Sequence, residues 1–165
     1  MSNKQHVISL LTENHSGVAA RIIGLFTARG YNIDSFSAAP TEDPKTSRIL
    51  LVVEGDDRII EQVTKQLNKL IDVIKVLDLT GSDYVERELM LIKVCADKKN
   101  RSQIIEIADL FKSSIISVTI EDIILEITGD EEKLNTVIEL LKPFGIKEAI
   151  RTGKIAISRK IEKII

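Results

Sequence analysis

Apolar positions along the chain repeat with a period of two, then of 3.6, then of two again, and this order of elements occurs twice. In the first pass, His6 to Leu11 reads as a strand and Glu13-Asn14-His15-Ser16-Gly17 as a polar turn. Val18, Ile22, Leu25 and Phe26 then fall at i, i+4, i+7 and i+8, one face of a helix from about Val18 to Arg29. Gly30 stands where a helix ending favours positive φ. Strands follow over Asn32 to Ala39 and Ser47 to Glu54, joined by the loop Pro40 to Lys45. A second helix, Asp56 to Leu70, turns Ile60, Val63, Leu67 and Leu70 inward and holds Asp56 and Asp57 at its positive end. The strand Asp72 to Leu79 closes a βαββαβ unit.

Thr80-Gly81-Ser82-Asp83 reads as a short polar linker, after which the order recurs. A strand over Arg87 to Ala96 precedes a helix over Arg101 to Phe111, with Ile104, Ile107, Ala108 and Phe111 on one face. Strands Ile115 to Ile120 and Ile123 to Thr128 come next, then a helix from Asp130 to Lys142 that Pro143 and Gly145 stop. A final strand extends from about Ile146 to Ser158.

The pattern predicts an α+β protein of two tandem ferredoxin-like domains, residues 1–80 and 81–165, each a four-stranded antiparallel sheet with two helices on one face. Each half has about 80 residues, a size at which one core is marginal by itself. Burial of the remaining sheet faces or edges against another chain, in an oligomer, is the expected remedy.

Composition narrows the possible functions. Apolar residues make up 44% and charged residues 29% of the chain, an ordinary balance for a folded protein. The longest apolar runs, Ile49 to Val53 and Ile123 to Leu125, are too short to cross a bilayer. The first residues form neither an apolar signal core nor an Arg-rich leader, so a cytoplasmic protein is expected. A net charge of −2 provides no extended basic surface for nucleic acid, and aromatics, at 4%, are too few for base stacking on the sheets. Lys98-Lys99-Asn100-Arg101 reads as a solvated turn.

Reactive groups are sparse. Cys95 is the only cysteine and lies in an apolar run, as a small hydrophobe would. Two histidines, His6 and His15, are too few for a histidine metal site. There is no Gly-x-Gly-x-x-Gly, no Gly-x-Ser-x-Gly, and Glu148 occupies the glycine position that a phosphate loop ending in Gly153-Lys154 would need. The expectation is a chain with no catalytic site, cofactor or metal of its own.

One constellation can bind a small molecule. The turn before the first helix leaves free N–H groups at Gly17 and Val18, with the helix dipole behind them. Gly17 lets a ligand approach the backbone, and Asn14 and Asn32 each offer an acceptor and two donors. An α-amino acid needs that combination. The alternative is that Asn14 or Ser16 caps the helix and Asn32 tolerates an awkward backbone angle.

Glu13-Asn14-His15-Ser16-Gly17-Val18 followed by Arg29-Gly30-Tyr31-Asn32-Ile33-Asp34 resembles the signature of the ACT domain, an amino-acid-sensing module. Arg21-Ile22-Ile23-Gly24-Leu25-Phe26, Ala39-Pro40-Thr41, Asp43-Pro44, Ser47-Arg48 and Val85-Glu86-Arg87-Glu88-Leu89 extend the likeness to the small subunits of acetolactate synthase (acetohydroxyacid synthase) over nearly the whole chain. Ser16 replaces the proline usual before the turn glycine of ACT domains. The resemblance implies an ACT domain in residues 1–80 that binds effector and dimerises, and a small-subunit domain in 81–165 that contacts the large subunit. The implied partner is a catalytic subunit carrying thiamine diphosphate, Mg²⁺ and FAD, which condenses pyruvate with pyruvate or 2-oxobutyrate. The small subunit activates it and confers feedback inhibition by valine, or another branched-chain amino acid, on that pathway. The implied effector site combines Asn14, Gly17 and Val18 of one chain with Asn32 and Ile33 of the other. An ACT regulator of another biosynthetic enzyme is the alternative reading. An acylphosphatase on the same fold would need an arginine in the first β–α turn, which holds none.

Overall fold

The two period-alternating halves form two antiparallel sheets in a computed structural model that describes residues 4–160. The first half lays down β1 (Lys4–Glu13), α1 (Val18–Thr27), β2 (Ile33–Pro40), β3 (Thr46–Gly55), α2 (Asp57–Leu67) and β4 (Val73–Asp78). Its sheet has the order β2-β3-β1-β4, which puts β1 and β3 inside and β2 and β4 at the edges. Register runs from Lys4 opposite Gly55 to Glu13 opposite Thr46, and β2 lies on the far side of β3 with Ile33 opposite Val53 and Pro40 opposite Ser47.

Helix packing follows the spacing in the sequence. Val18, Ile22 and Phe26 of α1 and Ile60, Val63 and Leu67 of α2 are buried against Ile8, Leu10, Ile49, Leu51 and Val53 of the sheet. Burying each large side chain of this set contributes about 1.5–3 kcal/mol before the entropy cost of ordering it. Asp56 caps α2 by accepting the Arg58 amide at 2.8 Å. Gly30 has φ +71°, and just before it the chain leaves α1 with the Tyr31 amide donating to the Phe26 carbonyl at 3.1 Å.

The second half repeats the plan with β5 (Tyr84–Cys95), α3 (Arg101–Leu110), β6 (Ser114–Val118), β7 (Asp122–Gly129), α4 (Glu131–Leu141) and β8 (Ile146–Arg151) in the sheet order β6-β7-β5-β8. Met90, Ile92 and Val94 alternate inward on β5 and meet Ile104, Ala108, Leu134, Val137 and Leu141 from the helices. A single turn of 3₁₀-helix, Lys142–Phe144, ends α4, and Gly145 follows at φ +90°.

The last predicted strand, Ile146 to Ser158, is two strands. It breaks after Arg151, Gly153 takes φ +82°, and β9 (Ile155–Ser158) pairs with β5. Alternating residues cannot carry a strand through the left-handed region that glycine allows. The chain divides into two compact units, one running to Val85 and resuming at Lys154, the other Glu86–Gly153. The terminal segment therefore groups with the first unit, although the sequence pattern places it with the second. In the first unit Ala156 joins Val7, Val52, Leu77, Leu79 and Tyr84 in a small core of its own. This explains why Ile49 to Val53 of β3 is buried without alternation: both faces of that strand are covered.

Candidate functional site

β1 ends at Glu13, and α1 opens at Gly17, whose φ of +91° lies in the left-handed region. An L-residue there carries a steric penalty that glycine avoids. No side chain caps the helix. The capping reading of Asn14 and Ser16 therefore fails. Asn14 instead sends Nδ2 to the Pro44 carbonyl at 2.8 Å, and its backbone amide donates to the Lys45 carbonyl at 2.7 Å. Asn14 thus ties the β1–α1 turn to the β2–β3 loop.

Beside this turn is a cavity of about 210 Å³, with Asn14, His15, Val18, Ala19, Ala38 and Pro40 among its lining residues. Its lining combines small apolar side chains with polar ones, as a small amphipathic ligand requires. Asn14 and Val18 line it, whereas Gly17, Asn32 and Ile33 do not. Asn32 precedes β2, and its Nδ2 donates to Asp34 Oδ1 at 2.7 Å. Ile33 begins β2, and Ala38 is the first residue of that strand to line the cavity, so five residue steps, about 16 Å, separate Ile33 from it within one chain.

A charged cluster that the sequence pattern did not reveal lies behind the turn. Asp72, with its side chain only 9% exposed, forms ion pairs with His15, whose Nε2 lies 3.0 Å from one carboxylate oxygen, and with Arg21, whose Nη1 lies 2.5 Å from the other. Its backbone carbonyl accepts the Glu13 amide at 2.9 Å. His15 and Arg21 flank Gly17 and could have drawn attention, but Asp72 arrives from the far side of α2, and only the pairing of β4 with β1 brings it there.

In the second unit the basic stretch Lys98 to Arg101 is organised by its neighbours. Asp97 accepts the Lys99 and Asn100 amides at 2.7 and 2.9 Å, and these bonds, with the Asn100 one foremost, hold its carboxyl below the ordinary carboxylate value. Arg101 Nη2 lies 3.1, 2.6 and 2.9 Å from the carbonyl oxygens of Ala96, Thr119 and Ile120. Arg101 is a structural staple, while Lys98 and Lys99 are exposed as expected of a solvated turn. Cys95 is half-buried, its sulfur packed beside Gly145. Among the described residues no three or more His, Cys, Asp or Glu side chains gather as a metal site, and no helix is long and apolar enough to cross a membrane.

Comparison with known proteins covers both halves. A family model described as an AHAS small subunit-like ACT domain matches residues 8–75, and one described as the small subunit of acetolactate synthase matches residues 87–160. A probable acetolactate synthase small subunit of Archaeoglobus fulgidus is 48% identical over 159 residues, 96% of this chain and 99% of that protein. An acetolactate synthase small subunit of Mycobacterium bovis is 45% identical, covering 96% of this chain and 95% of that protein. The crystal structure of the acetolactate synthase small subunit of Thermotoga maritima superposes with a TM-score of 0.87 at 38% identity, over 95% of this chain and 98% of that one.

Proposed function

The chain belongs to the acetolactate synthase small-subunit family, and from that premise we propose that it binds the catalytic large subunit, raises its activity and makes it sensitive to valine. The observation that carries this reading is likeness to the family along 96% of the chain, through both units. The chemistry of condensing two 2-oxo acids belongs to the catalytic subunit with its thiamine diphosphate, Mg²⁺ and FAD. The role of this chain is to shift an equilibrium in that partner, in the cytoplasm, under feedback from branched-chain amino-acid synthesis. Residues 1–80 serve as the sensor and dimerisation domain, and residues 81–165 supply contacts to the large subunit.

The effector pocket is shared between two chains. Asn14, Gly17 and Val18 stand at one end of the sheet and Asn32 and Ile33 at the other, so one chain cannot close a pocket around a molecule the size of valine. A homodimer that sets the β2 start of one chain against the β1–α1 turn of the other brings the two halves together. The Gly17 region receives the carboxylate, Asn32 the ammonium, and Val18 and Ile33 the side chain. A coupling free energy of ~1–3 kcal/mol suffices for feedback control. Leucine and isoleucine differ from valine by one methylene, at ~1–3 kcal/mol, so weaker inhibition by both is expected.

Reconstitution with the catalytic subunit tests the reading. Added chain should raise acetolactate formation, valine should lower it, and Asn32→Ala should abolish the valine effect while leaving activation and the melting temperature intact. Catalytic-subunit activity that does not respond to the chain would overturn the proposal.

A further inference from the structure

We infer that Asp72 is a positioning residue for the effector turn: its buried carboxylate grips His15 and Arg21 and thereby holds the backbone around Gly17 in its binding shape. The inference rests on the effector reading of that turn. A turn with glycine at its centre and no side-chain cap has little local preference for one shape, because glycine restricts φ and ψ least of all residues. Its shape must come from outside. Asn14 supplies two tethers, its side chain to Pro44 and its amide to Lys45, and Asp72 supplies three: its carbonyl to the Glu13 amide, and one carboxylate oxygen each to His15 and Arg21.

These contacts bracket Gly17. His15 lies two residues before it, and Arg21 one helical turn after it, with the Arg21 amide donating to the Gly17 carbonyl at 3.0 Å. The guanidinium that Asp72 holds through Nη1 has its Nη2 3.8 Å from where a Cβ on Gly17 would sit. His15 and Arg21 are half exposed, at 50% and 51%, whereas Asp72 is nearly sealed at 9%. A carboxylate this buried must keep its partners, because leaving it unpaired costs several times what a surface pair contributes. Two half-exposed side chains are thus pinned by a buried one.

Valine titration into the full-length chain by calorimetry, beside a thermal melt, tests the inference. Asp72→Asn should weaken valine binding about tenfold, as expected for loss of the buried negative charge that pairs with His15 and Arg21, while the protein remains folded at the titration temperature. In a chain already carrying His15→Ala and Arg21→Gln the same substitution should add no further loss of affinity, because its effect passes through those two side chains. Affinity unchanged in folded Asp72→Asn overturns the inference and leaves the effector reading standing. An equal further loss in the doubly substituted background also overturns it. If Asp72→Asn does not fold, the half-exposed single variants decide: normal valine affinity in both His15→Ala and Arg21→Gln overturns it. A wild-type chain that binds none of valine, leucine and isoleucine overturns the effector reading and this inference together.

Discussion

Glu88 on β5 and Arg151 at the end of β8 meet in a two-pronged ion pair, Nε to Oε1 at 2.9 Å and Nη2 to Oε2 at 2.5 Å, with the Glu88 side chain only 8% exposed. Asn135 on α4 accepts from Arg151 Nη1 at 3.0 Å, so the pair links both sheet strands to a helix. Glu88→Ala should destabilise the protein by about 2–3 kcal/mol, toward the low end for a broken buried pair because Arg151 can turn to solvent. Replacing both residues by leucine should restore much of that loss. Urea unfolding of the full chain measures both, and a Glu88→Ala cost under about 0.5 kcal/mol would class the pair with ordinary surface bridges.

The angle at Gly17 orders substitutions there. A Cβ would meet only the Arg21 Nη2 atom, at an ordinary 3.8 Å, so the penalty is backbone strain and not collision. Gly17→Ala should cost about 1–2 kcal/mol, and Gly17→Val more. Asn and Asp, which tolerate the left-handed region, should cost less, and Asp gains ~0.3–1 kcal/mol from the helix dipole. Melting temperatures should fall in the order Asp, Asn, Ala, Val, and an alanine variant as stable as the wild type would contradict the assigned angle.

Arg101 joins the start of α3 to the β6–β7 turn through the carbonyls of Ala96, Thr119 and Ile120. Arg101→Ala should destabilise by about 1–3 kcal/mol, and Arg101→Lys should recover only part, since a single ammonium cannot reproduce the planar fork. Hydrogen exchange should show the loss around residues 119–122 first. Uniform protection there in Arg101→Ala would show the staple to be idle.

Acid should weaken the Asp97 turn. Its carboxyl sits below the ordinary value of 3.8 because the Asn100 and Lys99 amides donate to it, so its stabilisation is complete above that value and is lost as pH falls through the lower, folded one. The stability difference between wild type and Asp97→Ala should be constant near neutrality and shrink below about pH 4. A difference that stays constant down to pH 2 would mean that the ionised carboxylate contributes nothing there. Asp122, lowered chiefly by the Thr119 hydroxyl, should behave alike.

Apolar spacing alone was enough to set the elements and their faces. Val18, Ile22 and Phe26 had to share a helix face, Met90, Ile92 and Val94 a strand face, and the twice-repeated βαββαβ order left few ways to bury both. The sequence also marked the Asn14–Val18 turn, because a polar run ending in glycine before a helix is a local signal. What those faces and turns touch follows from how the strands pair and the helices pack. Periodicity says that a residue is buried, not against what. The return of Ala156 to Val7, Val52 and Leu79, the meeting of Glu88 with Arg151 and the grip of Asp72 on His15 and Arg21 all join residues far apart in the chain. No spacing rule encodes such contacts, since they depend on which surfaces the sheets leave open once the strands have paired.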